Sequence, residues 1–561
     1  MRLVKITIGS AKVSPTHQFK NLKNVTIDFD QDHWVTVLIG WNGTGKSNVL
    51  EAVAIIFRDL IRKKRRPAFA FVLKYRMGNG DDTLHIEINA DPDRAKDPFI
   101  IYVATDAEAR DVGKLTPFVE GEPEISAQRG KQIKLNAFLK EDARHLPRYV
   151  FSYYSGESTR MYEVFLPYLE DYDNDLRNGK DPGLKRLFYA LPVHSHFVLL
   201  AFLIQQSDDV RAFLLDHLGI DPDEGIESVL FVLRQPPWKS NAPDGDPRFW
   251  NARGIVSDFL SRLYDIALAP VEISRRVAVS LWNKEKLQFK YLYVKDVDAL
   301  RRLVGSQPPG EFFRDLESTH VSQLIEEVRI RIRLRRYDGS VTFRELSEGE
   351  RQLLTVLGLL RFTTGDESLF LLDEPDTHLN PRWCVDYLTY LRRFAHQSKG
   401  DEQSSHIVLT THNPLAIAEL VKEQVQILYR EPATRTVRAE NPAADPKGMG
   451  FSGIVISDMF GLGSSLDNAT NDDLIELHRL STKEALTDEE REDLTKLREQ
   501  LERLDFNFAA RDRLEQEYLR ARFDLAADGT IEGPVVTPEN KRKALSALVQ
   551  SLLHGLREGQ E

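Results

Sequence analysis

The chain has 561 residues, 42% hydrophobic and 29% charged, a globular balance that is too long for one core and unlike that of a disordered polymer. Its formal net charge of −11 argues against indiscriminate adhesion to nucleic acid, while leaving room for a local basic groove. A single cysteine, Cys384, rules out an intrachain disulfide or a thiolate-based metal site and points to a cytoplasmic setting. The start shows no secretory apolar stretch, and the longest apolar run, Phe197 to Ile204, is too short for a membrane span.

In chain order, VTIDFD and VTVLIG, separated by polar DQDHW, predict two strands joined by a turn. GWNGTGKSN, Gly40 to Asn48, follows at once, and the next segment has helical spacing with Val49, Leu50, Val53, Ile56, Phe57 and Leu60 on one stripe. Strand-like stretches at Leu84 to Ala90, Phe99 to Ala104 and Arg148 to Gly156 give residues 1–156 a mixed α/β texture. Residues 157–328 turn to helical periodicities such as HFVLLAFLIQQ and VRAFLLDHL, which predict an inserted helical lobe. Residues 329–440 return to α/β. Asp338-Gly339 is the predicted hairpin turn in VRIRIRLRRYDGSVTFREL, and SLFLLDEP and HIVLTTHNP hold short apolar strands of the buried parallel type. Residues 441–561 are more polar and predict a helical extension, with a capping box at Thr487 and Glu490 and Leu494, Leu497, Leu501 and Leu504 on one face.

The chemistry begins at GWNGTGKSN, which matches the phosphate-loop pattern between an apolar strand and an amphipathic helix. Gly40, Gly43 and Gly45 let backbone N–H groups curl around an anion, and Asn42, Thr44 and Asn48 complete the nucleotide-binding set. Lys46 reaches toward the β- and γ-phosphates of ATP, and the Ser47 hydroxyl suits Mg2+. At the end of LFLLDEP, Asp373 and Glu374 are adjacent carboxylates that would be costly to bury without a cation or reacting water in front of them. Asp373 is the expected Mg2+ residue, Glu374 the residue that activates water, and His412 in VLTTHNP a donor to the γ-phosphate. Ser347 and Gly349 in LSEGERQ open a helix whose N-terminus favours an anion, with Glu350 in the same turn.

GWNGTGKSN, LSEGERQ, LLDEPDTHLNP and TTHNP, in that order, resemble the ATP-binding-cassette heads shared by transporters, SMC and Rad50 proteins and RecF-like ATPases. The resemblance implies an α/β fold: a P-loop NTPase head with a mixed sheet, split by a helical insertion and followed by a helical extension. It also implies a homodimer or higher even-numbered oligomer in which Ser347 and Gly349 meet the γ-phosphate held by the partner copy, with Asp376 at the dimer seam. Glu348 and Glu350 stand where transporters have a glycine and its neighbour, and RYVFSYYSGES ends without the glutamine that the family places there.

The insertion has no sustained heptads, which excludes a long coiled-coil arm, and the tail lacks the acidic pattern of a TOPRIM nuclease. The order of parts is similar to the ATPases of Septu-type antiviral systems, including those attached to retrons. That likeness implies an ATPase, not itself a nuclease, that senses infection or DNA state. It would regulate a separately encoded HNH nuclease, in some systems beside a retron reverse transcriptase with its RNA and DNA. The alternatives are a RecF-like repair or recombination ATPase and a slow-turnover nucleotide-clamped scaffold. Arg62 to Arg66 and the row Arg329, Arg331, Arg333 and Arg335 are candidate nucleic-acid contacts, or else solvated faces paired with nearby acids. His194 and His196 lack a third ligand and read as structural.

Overall fold

The computed structural model describes residues 1–30, 32–106, 108, 130–204, 206–278, 284–335, 339–362, 367–395, 405–431, 434–462, 464–483, 486–503 and 546. The predicted turn residue Asp338 and the predicted helix residue Leu504 lie outside them. The first principal elements are β1 (Arg2–Ile8), β2 (Val25–Asp28), β3 (Val35–Gly40), α1 (Lys46–Ile61), β4 (Phe71–Met77), β5 (Leu84–Ala90), β6 (Phe99–Thr105), β7 (Lys131–Ile133) and β8 (Tyr149–Tyr154). Next come α2 (Arg160–Arg177), β9 (Leu187–Tyr189), α3 (His194–Ile204), α4 (Asp208–Asp216), β10 (Ile226–Arg234), α5 (Gly254–Ile266), β11 (Leu268–Ala278), β12 (Lys284–Val294), α6 (Val297–Val304), α7 (Pro309–Val321) and β13 (Ile325–Arg333). The last are β14 (Ser340–Thr342), α8 (Glu348–Phe362), β15 (Ser368–Asp373), α9 (Pro381–Ala395), β16 (Ser405–Thr410), β17 (Val425–Arg430), β18 (Val437–Glu440), α10 (Gly450–Ile456), α11 (Asn468–Thr482) and α12 (Asp488–Arg503).

A seven-stranded sheet runs β18-β17-β3-β16-β15-β8-β9, with parallel pairing from β3 through β9. A six-stranded antiparallel sheet runs β2-β1-β4-β5-β6-β7. Ile6, Leu73 and Ile88 share one core with Val53 and Phe57 of α1 and with Leu371 and Val408, so the helix that starts at the phosphate loop is fixed on its apolar stripe. The strands expected to form a hairpin, β2 and β3, belong to different sheets. β2 alternates between buried and more exposed positions, whereas β3 is buried from Val35 to Ile39 and suits only a sheet covered on both faces.

The expectation of a helical insertion lobe over 157–328 is corrected in part. That segment holds α2 to α7 but also β9, the edge of the seven-stranded sheet, and β10, β11 and β12, which join β13 and β14 in an antiparallel sheet of order β11-β12-β10-β13-β14. Strand β10 was hard to read because IESVLFVLR is a nearly continuous apolar run, whereas β11 carries a short alternation, Val271 and Ile273 against Glu272 and Ser274, on a stretch that is exposed from Leu268 to Arg276. On β13 the predicted alternation is present: Ile330, Ile332 and Leu334 are buried while Arg329, Arg331, Arg333 and Arg335 are exposed.

The chain divides into two compact units: Met1–Leu38, Asn42–Ala416 and Leu428–Glu440 form one, and Ile39–Trp41, Ile417–Ile427 and Asn441–Glu561 the other. The inserted segment therefore belongs to the same unit as the head strands. In the second unit, α12 begins with the predicted capping box, Thr487 N–H donating to Glu490 at 3.0 Å and Glu490 N–H to Thr487 Oγ1 at 3.3 Å. Among the described residues no helix is long and apolar enough to cross a membrane.

Candidate nucleotide-binding site

Strand register assembles the site. In the parallel ladder Asp373 lies beside Thr410 on one side and Tyr154 on the other, and Thr410 pairs with Leu38, so the carboxyl ends of four strands finish level. Ligands of open parallel sheets bind beyond such ends. Asp373 Oδ1 accepts from Ser47 Oγ at 3.1 Å and from Thr410 Oγ1. Burial pushes the Asp373 carboxyl above its ordinary value, while the two hydroxyls hold it down. A buried oxygen pair of this kind fits a hard divalent cation, and Ser47 with Asp373 are the residues that would hold Mg2+.

Glu374 follows with φ of 51°, a left-handed conformation unusual for a glutamate. Its N–H lies 3.1 Å from both the carbonyl and the hydroxyl of Thr410, which anchors the kink. The chain therefore leaves the ladder at this residue, and Glu374 Oε1 sits 3.2 Å from His412 Nε2. The bond from His412 holds the Glu374 carboxylate below its ordinary value. Lys46 is buried, and burial lowers its pKa against the opposing pull of Glu374 and Asp373. Lys46, Ser47, Asp373, Glu374 and His412 are thus brought together.

Gly40, Gly43 and Gly45 all have positive φ. At Gly45 a Cβ would also lie 2.9 Å from the Asn21 amide and from Leu22 Cδ2, so this turn needs glycine twice over. Two residues absent from the sequence-based expectation hold the loop: Gly43 O accepts from Asn21 Nδ2 at 3.1 Å and from Arg430 Nη2 at 2.9 Å. Asn48 Nδ2 in turn donates to Asn21 Oδ1 at 2.6 Å. Thr44 is buried, Asn42 exposed, and Gly45 is the N-cap of α1 with no side-chain cap bond, leaving the positive helix end facing the loop.

Ser347 and Glu350 form a reciprocal capping box at the start of α8. Ser347 N–H and Oγ donate to Glu350 Oε2 at 2.7 and 3.0 Å, and Glu350 N–H donates to Ser347 Oγ at 3.2 Å. At Gly349 a Cβ would lie 2.4 Å from His378 O, so the helix start rests against the loop that follows Glu374. Gln352 Nε2 donates to Pro375 O in the same contact. Asp376, expected at a dimer seam, is 4% exposed and accepts from Thr411 Oγ1 at 2.8 Å within its own chain. The histidines read as structural are so placed: His194 is buried against Glu317, and His196 packs on Phe343.

Two family models match the chain. One, "AAA ATPase domain", covers residues 17–141, which include the phosphate loop. The other, "AAA domain, putative AbiEii toxin, Type IV TA system", covers residues 232–418, which include Ser347, Asp373, Glu374 and His412. Both are models of AAA ATPase domains, and with the sheet and the order of the motifs they support an ABC-type AAA ATPase. A curated relative is Septu protein PtuA of Bacillus mycoides (strain KBAB4), 31% identical over 96 residues, which is 17% of this chain and only 12% of that protein's length. Among solved structures, the SMC head domain from Thermotoga maritima is 11% identical with a TM-score of 0.30, covering 79% of this chain and 99% of that one. Stu0660 of Streptococcus thermophilus is 10% identical with a TM-score of 0.27, covering 91% of this chain and 96% of that one.

Proposed function

We propose that the chain binds and hydrolyses Mg-ATP and uses the nucleotide cycle to regulate a separately encoded nuclease in bacterial antiviral defence. The observation that carries the ATPase reading is the convergence of Ser47 and Thr410 on Asp373 beside the Glu374–His412 pair. Lys46 binds the terminal phosphates, and Ser47 with Asp373 hold Mg2+, which supplies positive charge to the transferring phosphoryl group. Glu374, ionised and oriented by His412, accepts the proton of the attacking water. The likeness to Septu protein PtuA supports the defence role and a nuclease partner; the HNH type of that partner is what the resemblance to Septu-type systems implies.

Ser347 and Gly349 act on the phosphate bound by a second copy, the Ser347 O–H turning from Glu350 toward that anion. Glu374→Gln should lower steady-state turnover about a hundredfold or more, retain nucleotide binding and trap an ATP-bound dimer visible by light scattering. Ser347→Arg should bind nucleotide yet stay monomeric. Equal sizes for the two variants would refute the dimer, and undiminished turnover in Glu374→Gln would refute the catalytic assignment. Co-purification with mass analysis tests the partner: recovery of a nuclease supports the regulatory role, and DNA cleavage by the purified chain alone overturns it.

A further inference from the structure

Away from the nucleotide site, one cluster combines a buried imidazole with two carboxylates. His17, 1% exposed, lies on the β1–β2 connection, and Asp91 and Asp93 lie on the turn after β5. His17 Nε2 is 3.3 Å from Asp91 Oδ1 and 3.1 Å from Asp93 Oδ2. Neither approach has hydrogen-bond geometry, and this buried nitrogen has no hydrogen-bond partner among the described residues. His17 Nδ1 is 2.6 Å from Ser10 Oγ, which also receives the Lys12 N–H at 3.2 Å. In the tautomer whose Nδ1–H donates to Ser10, Nε2 turns a lone pair toward two carboxylate oxygens, the form that a cation standing between them would select.

We propose that His17, Asp91 and Asp93 bind a divalent transition-metal ion of the zinc class. Metal–ligand bonds of about 2.0–2.2 Å set ligand-to-ligand edges of roughly 3.0 Å in an octahedron and 3.4 Å in a tetrahedron, and the 3.1 and 3.3 Å separations fall between these. The ligands are held from outside. Asp91 Oδ2 pairs with Lys12 Nζ at 3.0 Å, while Oδ1 takes the Asp93 N–H at 2.9 Å and keeps a lone pair toward His17. Asp93 accepts from Thr16 Oγ1 at 3.0 and 3.2 Å, and at 48% exposure its side chain gives the ion a route in from solvent. Such outer hydrogen bonds orient metal ligands. The same connection carries Asn21, which braces Gly43 of the phosphate loop, so the ion fastens a segment that supports nucleotide binding.

Equilibrium dialysis of the full chain with Zn2+ in excess Mg2+, read by elemental analysis, tests this. One Zn2+ per chain is expected in the wild type and in Ser47→Ala, with binding weakened about tenfold or more in His17→Gln and Asp93→Asn. Co2+ in place of Zn2+ should give a visible band that both variants lose. Asp93 is half-exposed, so Asp93→Asn preserves the test if His17→Gln does not fold. No uptake by the wild type, or unchanged uptake in a folded variant, overturns the site.

Discussion

Asp373→Asn should make the nucleotide-free chain more stable while abolishing turnover. The carboxylate is 2% exposed, and burial, its largest perturbation, raises its pKa, with the neighbouring Glu374 adding to the rise. Both hydroxyl bonds, from Ser47 and Thr410, go to Oδ1. Asparagine keeps that acceptor and discards the charge. Lys46 loses one anion, but Glu374 outranks Asp373 in its effect on Lys46, which limits the loss. Removing an incompletely compensated buried polar group is worth about 1–3 kcal/mol, or roughly 1–3 °C in a chain of this size. The sign with pH follows from the raised pKa. The unfolded chain ionises first, so the penalty is absent below the ordinary aspartate value, grows as pH rises toward the folded value and is complete above it. Thermal melts in EDTA without nucleotide should therefore show the gain at pH 8 and little near pH 4. A melting temperature at pH 8 equal to or below wild type, with native circular dichroism, would refute the reasoning. Mg-ATP should reverse the order, because only the wild type gains from the bound metal.

Three further outcomes follow from named contacts. Gly349→Ala drives a methyl to 2.4 Å from His378 O; overpacking of about 1–3 kcal/mol should exceed the helix gain of about 1 kcal/mol. ATPase should then fall more than nucleotide affinity, and unchanged turnover would show that the loop yields freely. Glu317→Gln strips the buried Lys185 and His194 of their shared carboxylate and should cost about 3–5 kcal/mol in urea melts, with Lys185→Met in the same chain restoring much of it; equal single and double variants would count against a coupled cluster. On β13, Arg329 pairs with Glu327 at 2.7 Å and Arg331 with Glu227 at 3.4 Å, so reversing Arg329 and Arg331 to glutamate should alter the salt slope of DNA binding by less than about one unit. A drop of about two would make this a phosphate-binding face.

The parts of the site that were legible in the sequence are those whose chemistry is local. A phosphate loop needs its glycines, lysine and serine within a few residues, and the acidic pair and His412 each end an apolar strand. Local periodicity likewise revealed α1, β5, β15, β16 and the two-faced β13. In the insertion β10 was missed because it is apolar on both faces and so lacks the alternation that separates strand from helix; β11 and β12 do alternate, Val271 and Ile273 against Glu272 and Ser274 and Leu287 and Phe289 against Gln288 and Lys290, a legible signal that was passed over. The supporting residues were missed for a different reason. Asn21 and Arg430 reach Gly43 from 22 residues before and 387 after it, and His378 explains Gly349 only once the start of α8 and the loop after Glu374 are seen in contact.

Thr410 shows how register converts a bland residue into part of the chemistry. In sequence it is one of two threonines after an apolar strand. In the ladder it is the residue opposite Asp373, its hydroxyl bonds that carboxylate, and its backbone and side-chain oxygens together hold the Glu374 N–H. Glu374 can therefore leave the strand in a left-handed conformation and turn toward His412, two residues beyond Thr410. The strain of about 1–2 kcal/mol in that conformation is offset at the point where it arises. A one-residue slip between β15 and β16 would bury an equally apolar sheet, yet it would remove Thr410 from Asp373 and release the kink. The precision of the proposed water-activating group therefore rests on strand pairing more than on the acidic motif itself.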